Sequence, residues 1–151
     1  MTHRIHSRRA RCAGFTFIEV MCTVAIAGVL SSVAYPGYQG VVQRTRRSDA
    51  QVALLRVQMA QERFRADHSS YGSLADIGVP ATSSGSYYTL TMASASDTGF
   101  AVQASAGGTQ TSDTTCRTLK LTVDGANVSY ASGPDDKVAN TGAVNKKCWG
   151  L

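Results

Sequence analysis

The stretch Arg11 to Leu30, RCAGFTFIEVMCTVAIAGVL, places one acid, Glu19, inside a run otherwise suited to hydrocarbon. From Phe15 to Tyr35 the chain has 21 residues whose only charge is that carboxylate. Wound as a helix rising ~1.5 Å per residue, such a run measures roughly 31 Å, close to the apolar thickness of a bilayer. An ionised carboxylate in the middle of a span costs about 2.5–3.5 kcal/mol on insertion scales, so Glu19 needs a partner or a function there.

Outward from that run, the preceding tail carries Arg4, Arg8, Arg9 and Arg11 and no acid. It accounts for most of the formal net charge of +5, because from Phe15 onward eleven basic residues face ten acidic ones. So small an excess is no nucleic-acid footprint, and DNA is not an expected partner on charge. The basic tail points to a cytoplasmic N-terminus, while Arg44, Arg46 and Arg47 beyond the run pull the other way. A secretory signal peptide is the competing reading, since Ser32-Val33-Ala34 resembles a small-x-small cut site whose use would free a chain beginning at Tyr35. Glu19, and a helical pattern that continues past the site, argue against it. Arg8-Arg9 suggests a twin-arginine signal, but Arg11 stands where such signals carry an apolar residue.

Pro36, Gly37 and Gly40 interrupt the apolar pattern and predict a kink or loosening of the helix. The pattern then resumes. On a helical wheel, Ala50, Ala53, Leu54, Val57, Ala60 and Phe64 share one face, and Val52, Leu55 and Met59 the opposite one. Two apolar faces need two covers, one from the rest of the chain and one from a second chain.

After His68 the composition shifts to Ser, Gly, Thr and Ala, which predicts a loop with a short helical turn. Four alternating segments follow: YYTLTM (87–92), GFAVQAS (99–105), CRTLKLTV (116–123) and, after the hairpin signal Asp124-Gly125, ANVSYAS (126–132). The fold class is therefore α+β, a long helix packed on a four-stranded antiparallel sheet. The remaining GPDDKVANTGAVNKKCWGL (133–151) lacks either period and reads as a loop pinned by Cys148. If this part is exported, Cys116 and Cys148 form the natural disulfide, closing a loop worth roughly 3–4 kcal/mol on chain-entropy grounds. Cys22 reads as a small hydrophobe.

Chemistry finds little footing. His68 is the one histidine beyond the tail, and it precedes a Ser-rich loop. Asp135 and Asp136 sit in a turn, and no Cys or His pair has metal-ligand spacing, so catalytic residues, metal and cofactor are all expected to be none.

The segment AGFTFIEV resembles the type III signal of type IV pilins and pseudopilins: a basic leader ending in Gly14, a new N-terminal Phe15 and a Glu at the fifth mature position. Gly28, Pro36, YPGYQ and RTRRSDAQVALL are similar to the helix of PilE-type minor pilins, and DTTCRTLKLTV with KKCW to their disulfide region. The resemblance implies a pilin fold in four parts: leader 1–14, transmembrane and filament-core helix 15–35, amphipathic continuation 36–67, and periplasmic domain 68–151. It implies cutting between Gly14 and Phe15 and methylation of the new amine by a prepilin peptidase. Glu19 would then pair with the Phe15 amine of a neighbouring subunit during assembly, and Cys116 would bond Cys148. The implied partners are the major pilin, other minor pilins and the inner-membrane assembly platform of a Gram-negative bacterium. The implied work is pilus biogenesis, adhesion and twitching motility, by a subunit that spans the inner membrane once before joining the extracellular pilus. The alternatives are a type II secretion pseudopilin, a secreted disulfide-bonded binding module and a DNA-binding pilus subunit.

Overall fold

A computed structural model describes residues 14–139 and 141–150; the expected leader lies outside them apart from Gly14. One helix, α1 (Phe17–Asp67), takes up 51 residues and passes Pro36, Gly37 and Gly40 without a break. The expected kink there does not end the helix. The chain divides into two compact units at Tyr38/Gln39.

In the first unit α1 carries its large apolar side chains in the open. Phe17, Ile18, Val24, Val29, Leu30 and Val33 are all more than 60% exposed, so nothing among the described residues covers this stretch. Its hydroxyls are turned back onto the helix: Thr23 donates to the Val20 carbonyl at 2.8 Å, Ser31 to Ala27 and Ser32 to Val29, each at 2.7 Å. Such bonds leave few polar groups seeking water, as an apolar medium requires.

In the second unit the helix lies against an antiparallel meander with strand order β1-β2-β3-β4. The strands are β1 (Tyr88–Ala95), β2 (Gly99–Ala106), β3 (Thr118–Asp124) and β4 (Asn127–Gly133). The β3–β4 hairpin turns at Asp124-Gly125, where Gly125 takes φ +57°, a conformation that side chains other than glycine's rarely adopt. Alternation along the strands sends Tyr88, Leu90, Phe100, Val102, Ala104, Leu119, Leu121 and Val123 inward, onto Ala50, Ala53, Leu54 and Val57 of α1. The expected division of the helix holds: that face is buried, Ala60 and Phe64 are half-buried, and Val52, Leu55 and Met59 stay exposed. The helical turn expected after His68 forms at residues 74–78, where Ser73 and Asp76 cap each other: the Ser73 N–H donates to the Asp76 carboxylate at 2.8 Å.

The C-terminal segment differs from expectation. It is not all loop, because Gly142–Trp149 form a second helix, α2. Eight residues are too few for a helical period to show in the sequence. What holds the helix is tertiary: Cys148 is tied to Cys116, the Trp149 indole N–H donates to the Ala131 carbonyl at 3.1 Å, and Gly150 closes the end at φ +76°.

Candidate assembly site

Two places on the chain carry the features singled out from the sequence. The first is the start of α1. Thr16 precedes the helix, and its hydroxyl accepts the Glu19 N–H at 3.3 Å, the first half of a capping box whose fourth residue is Glu19 itself. The carboxylate thus sits in the first helical turn, where the unpaired N–H groups and the helix dipole favour negative charge. This local support was overlooked in the sequence, although T-x-x-E was there to be read. Gly14, Phe15 and Glu19 are exposed together, and the nitrogen of Phe15 is still a peptide N–H, which becomes an amine only when the Gly14–Phe15 bond is cut. Around Gly28, Gly37 and Gly40 there is open space, so their small size answers to no packing among the described residues.

The second place is where α1, the 3-10 turn Gly108–Ser112 and α2 meet. Cys116 and Cys148 are bonded there, as expected. Beside them Arg47, buried at 8% exposure, grips Asp113 with two bonds, Nε at 2.5 Å and Nη2 at 2.9 Å. Arg47 also donates to the Lys147 carbonyl, and Gln51 to the carbonyls of Cys148 and Trp149, each at 3.1 Å. The helix thereby fixes the C-terminal segment through polar side chains that lie outside its apolar pattern. Gln110 bridges the same cluster, donating towards the Tyr88 hydroxyl at 3.1 Å and Asp113 at 3.2 Å. Burial pushes the Tyr88 phenol up to about 12, the Gln110 bond acting against the shift and the Asp113 charge with it. Asp76, by contrast, is held below the usual carboxylate range, first by the Ser73 hydroxyl and then by its N–H. Farther along α1, Gln61 is fully buried and closes both the N–H and the carbonyl of Gly72, at 3.0 and 2.6 Å. No apolar pattern marks such a residue, so it too went unread.

These arrangements brace and present; they do not assemble a reaction centre. His68 is exposed and stacked on Phe64 at 3.8 Å, and Asp135 and Asp136 are exposed in their turn. Among the described residues no group of three or more potential ligands could hold a metal.

A long helix, apolar and bare in its first half, packed by its second half on a four-stranded antiparallel meander with a C-terminal disulfide, defines the type IV pilin class. Residues 9–35 match the prokaryotic N-terminal methylation motif. Residues 36–120 match the family described as type IV minor pilin ComP, DNA uptake sequence receptor, and the chain belongs to that family. It is 33% identical over 73 residues to the type IV major pilin protein PilA of Myxococcus xanthus, covering 48% of this chain and 33% of the relative. It is 34% identical over 86 residues to the fimbrial protein EcpC of Eikenella corrodens, covering 56% of each. With the type IV major pilin protein PilE of Neisseria gonorrhoeae it shares 49% over 37 residues, 24% of this chain and 22% of the relative. The matched part thus spans between about a fifth and just over half of these relatives. By name these relatives are pilins and fimbrial proteins, and the methylation motif with the apolar N-terminal helix of this chain fits a membrane-anchored pilin.

Proposed function

We propose that the chain is made as a prepilin, cut between Gly14 and Phe15, methylated on the new Phe15 amine by a prepilin peptidase, and stored in the inner membrane of a Gram-negative cell with its domain in the periplasm. From there the assembly platform passes it into a filament of major and minor pilins, which serves adhesion and twitching motility. The observation that carries this reading is the methylation motif over residues 9–35, laid on a stretch of helix whose apolar side chains have no cover among the described residues. Glu19, exposed in the first turn, would pair with the Phe15 amine of a neighbouring subunit, since a carboxylate that is costly alone in lipid becomes tolerable when paired. N-terminal sequencing of the mature protein tests the reading: a methylated Phe15 supports it, and a chain starting at Tyr35 overturns it. Glu19→Ala should leave the domain folded and the chain membrane-bound but deplete it from sheared pili. Between pilus and type II secretion, the minor-pilin match favours the pilus.

A second reading, reception of DNA during uptake, is favoured by the same family match against the meagre charge excess. Its test is fluorescence anisotropy of labelled duplex with the full chain in detergent. A receptor should lose affinity steeply with salt, with a slope of about −0.9 per phosphate contacted. Absence of binding at low salt would remove it.

A further inference from the structure

Beside the disulfide lies a groove of about 440 Å³ with an unusual lining. Arg44 stands on its α1 side, Lys146 and Lys147 on its α2 side, and the hydroxyls of Ser112, Thr114 and Thr115 between them. The Arg47–Asp113 pair in its wall is internally neutral, and it is the one ion pair among the described residues. The charges of Arg44, Lys146 and Lys147 are therefore uncompensated, and all three residues are exposed. One ammonium is already steered inward, Lys147 Nζ lying 3.3 Å from the Thr115 hydroxyl. Three cations and three hydroxyls in one concavity suit a phosphate group, which takes charge-assisted bonds from the former and ordinary ones from the latter.

The chain itself limits which phosphate is near. Tyr35 and Tyr38, 65% and 69% exposed, close the apolar stretch as interfacial aromatics do. Arg44 is six residues beyond Tyr38, so no course of the chain can carry it more than about 20 Å away. We propose that this groove binds the phosphate of an anionic phospholipid headgroup in the leaflet from which α1 emerges. The proposal rests on the membrane-anchored reading above. Anchoring matters to the energetics, because a tethered site meets headgroups at high effective concentration and needs only weak intrinsic affinity. It also gives a use to basic residues after the span: Arg47 is neutralised by Asp113, Arg46 lies over the Tyr87 ring at 4.5 Å, and Arg44 is left for the lipid.

Trp149 is the single tryptophan of the chain and lines the adjoining cleft with Arg44 and Lys147, so its fluorescence reports on the groove. The full chain is reconstituted in nanodiscs containing headgroup-nitroxide lipid, with the remaining lipid varied from phosphatidylcholine to phosphatidylglycerol. Quenching of Trp149 should rise with the phosphatidylglycerol fraction and return to the phosphatidylcholine level in 0.5 M salt. The variant R44Q/K146Q/K147Q, melting at the wild-type temperature, should need a far higher acidic-lipid fraction, with affinity falling about fivefold for each cation removed. Equal quenching in the two lipids, or an unchanged triple variant, would overturn the proposal. So would duplex DNA binding that depends on the same three residues while lipid composition has no effect, which would assign the groove to DNA. A chain that elutes apart from the nanodiscs would overturn the anchoring itself, and the proposal with it.

Discussion

The two halves of α1 obey the same helical geometry and meet opposite fates. Before Tyr38 the large apolar side chains are bare, while beyond Gln39 the face carrying Ala50, Leu54 and Val57 is wholly buried against the sheet. Apolar residue types do not separate them, since Leu, Val and Ala populate each, but charge does: Glu19 is the only charge from Phe15 to Tyr35, whereas the second half is studded with Arg, Asp and Glu. The difference is what each half has been given to pack on: the second half has four strands of its own chain, and the first half has no cover among the described residues. Stability of the isolated subunit therefore lives in the second half, and the proposed function assigns assembly to the first.

The comparison breaks most readily at Arg47, which joins the helix to the C-terminal segment. Arg47→Ala leaves the Asp113 carboxylate buried without its charge partner and should cost about 3–5 kcal/mol. Thermal unfolding followed by circular dichroism of the full chain in detergent should show a loss of roughly 10–20 °C. The pair-replacing variant R47M/D113L should recover much of that loss; if it does not, the ion pair is not what Arg47 contributes.

Next in size is the disulfide. Removing it as C116S/C148S should cost about 2–4 kcal/mol, read as a lower melting temperature under non-reducing conditions. Amide exchange should quicken first in α2, an eight-residue helix held by its tertiary ties. Uniform quickening across the sheet would mean that α2 and the sheet open as one.

How much of this was legible follows from the kind of signal each part leaves. The four strands and the buried face of α1 came through because apolar periodicity is written along the chain. Arg47, Gln61 and Gln110 did not, because a buried polar residue is justified only by a partner distant in sequence. Asp113, 66 residues from Arg47, looked like any loop acid. Helix α2 was missed for a related reason: its stabilising contacts lie with β4 and the disulfide, not within its eight residues. Thr16 with Glu19 is the exception, a capping pair whose signal is local, T-x-x-E at the start of the helix.

Tyr88 offers a gentler perturbation of the same second half. Its phenol is raised from an ordinary value of 10 to about 12 in the folded chain, so the fold favours the neutral form. That contribution is fully present below about pH 10 and disappears as pH climbs through 12. Ultraviolet titration should show a phenol ionising near pH 12, with Tyr88→Phe removing that late step and flattening the alkaline decline of stability. A late step that survives in Tyr88→Phe would place the buried phenol elsewhere.

The smallest effect on the isolated subunit sharpens the comparison furthest. Leu54 and Leu55 are neighbours in sequence with the same side chain, yet Leu54 is 0% exposed and Leu55 44%. Leu54→Ala opens a cavity under the sheet and should cost about 2–5 kcal/mol. Leu55→Ala removes a side chain that touches mainly solvent and should stay within about 0.5 kcal/mol of wild type. If Leu55, with Val52 and Met59, belongs to the surface that another subunit covers, the cost should reappear on assembly, as reduced recovery of Leu55→Ala in sheared pili at an unchanged melting temperature. Normal recovery would confine the assembly surface to the apolar first half, and a lowered melting temperature would mean that the exposed face already contributes to the fold before any partner arrives.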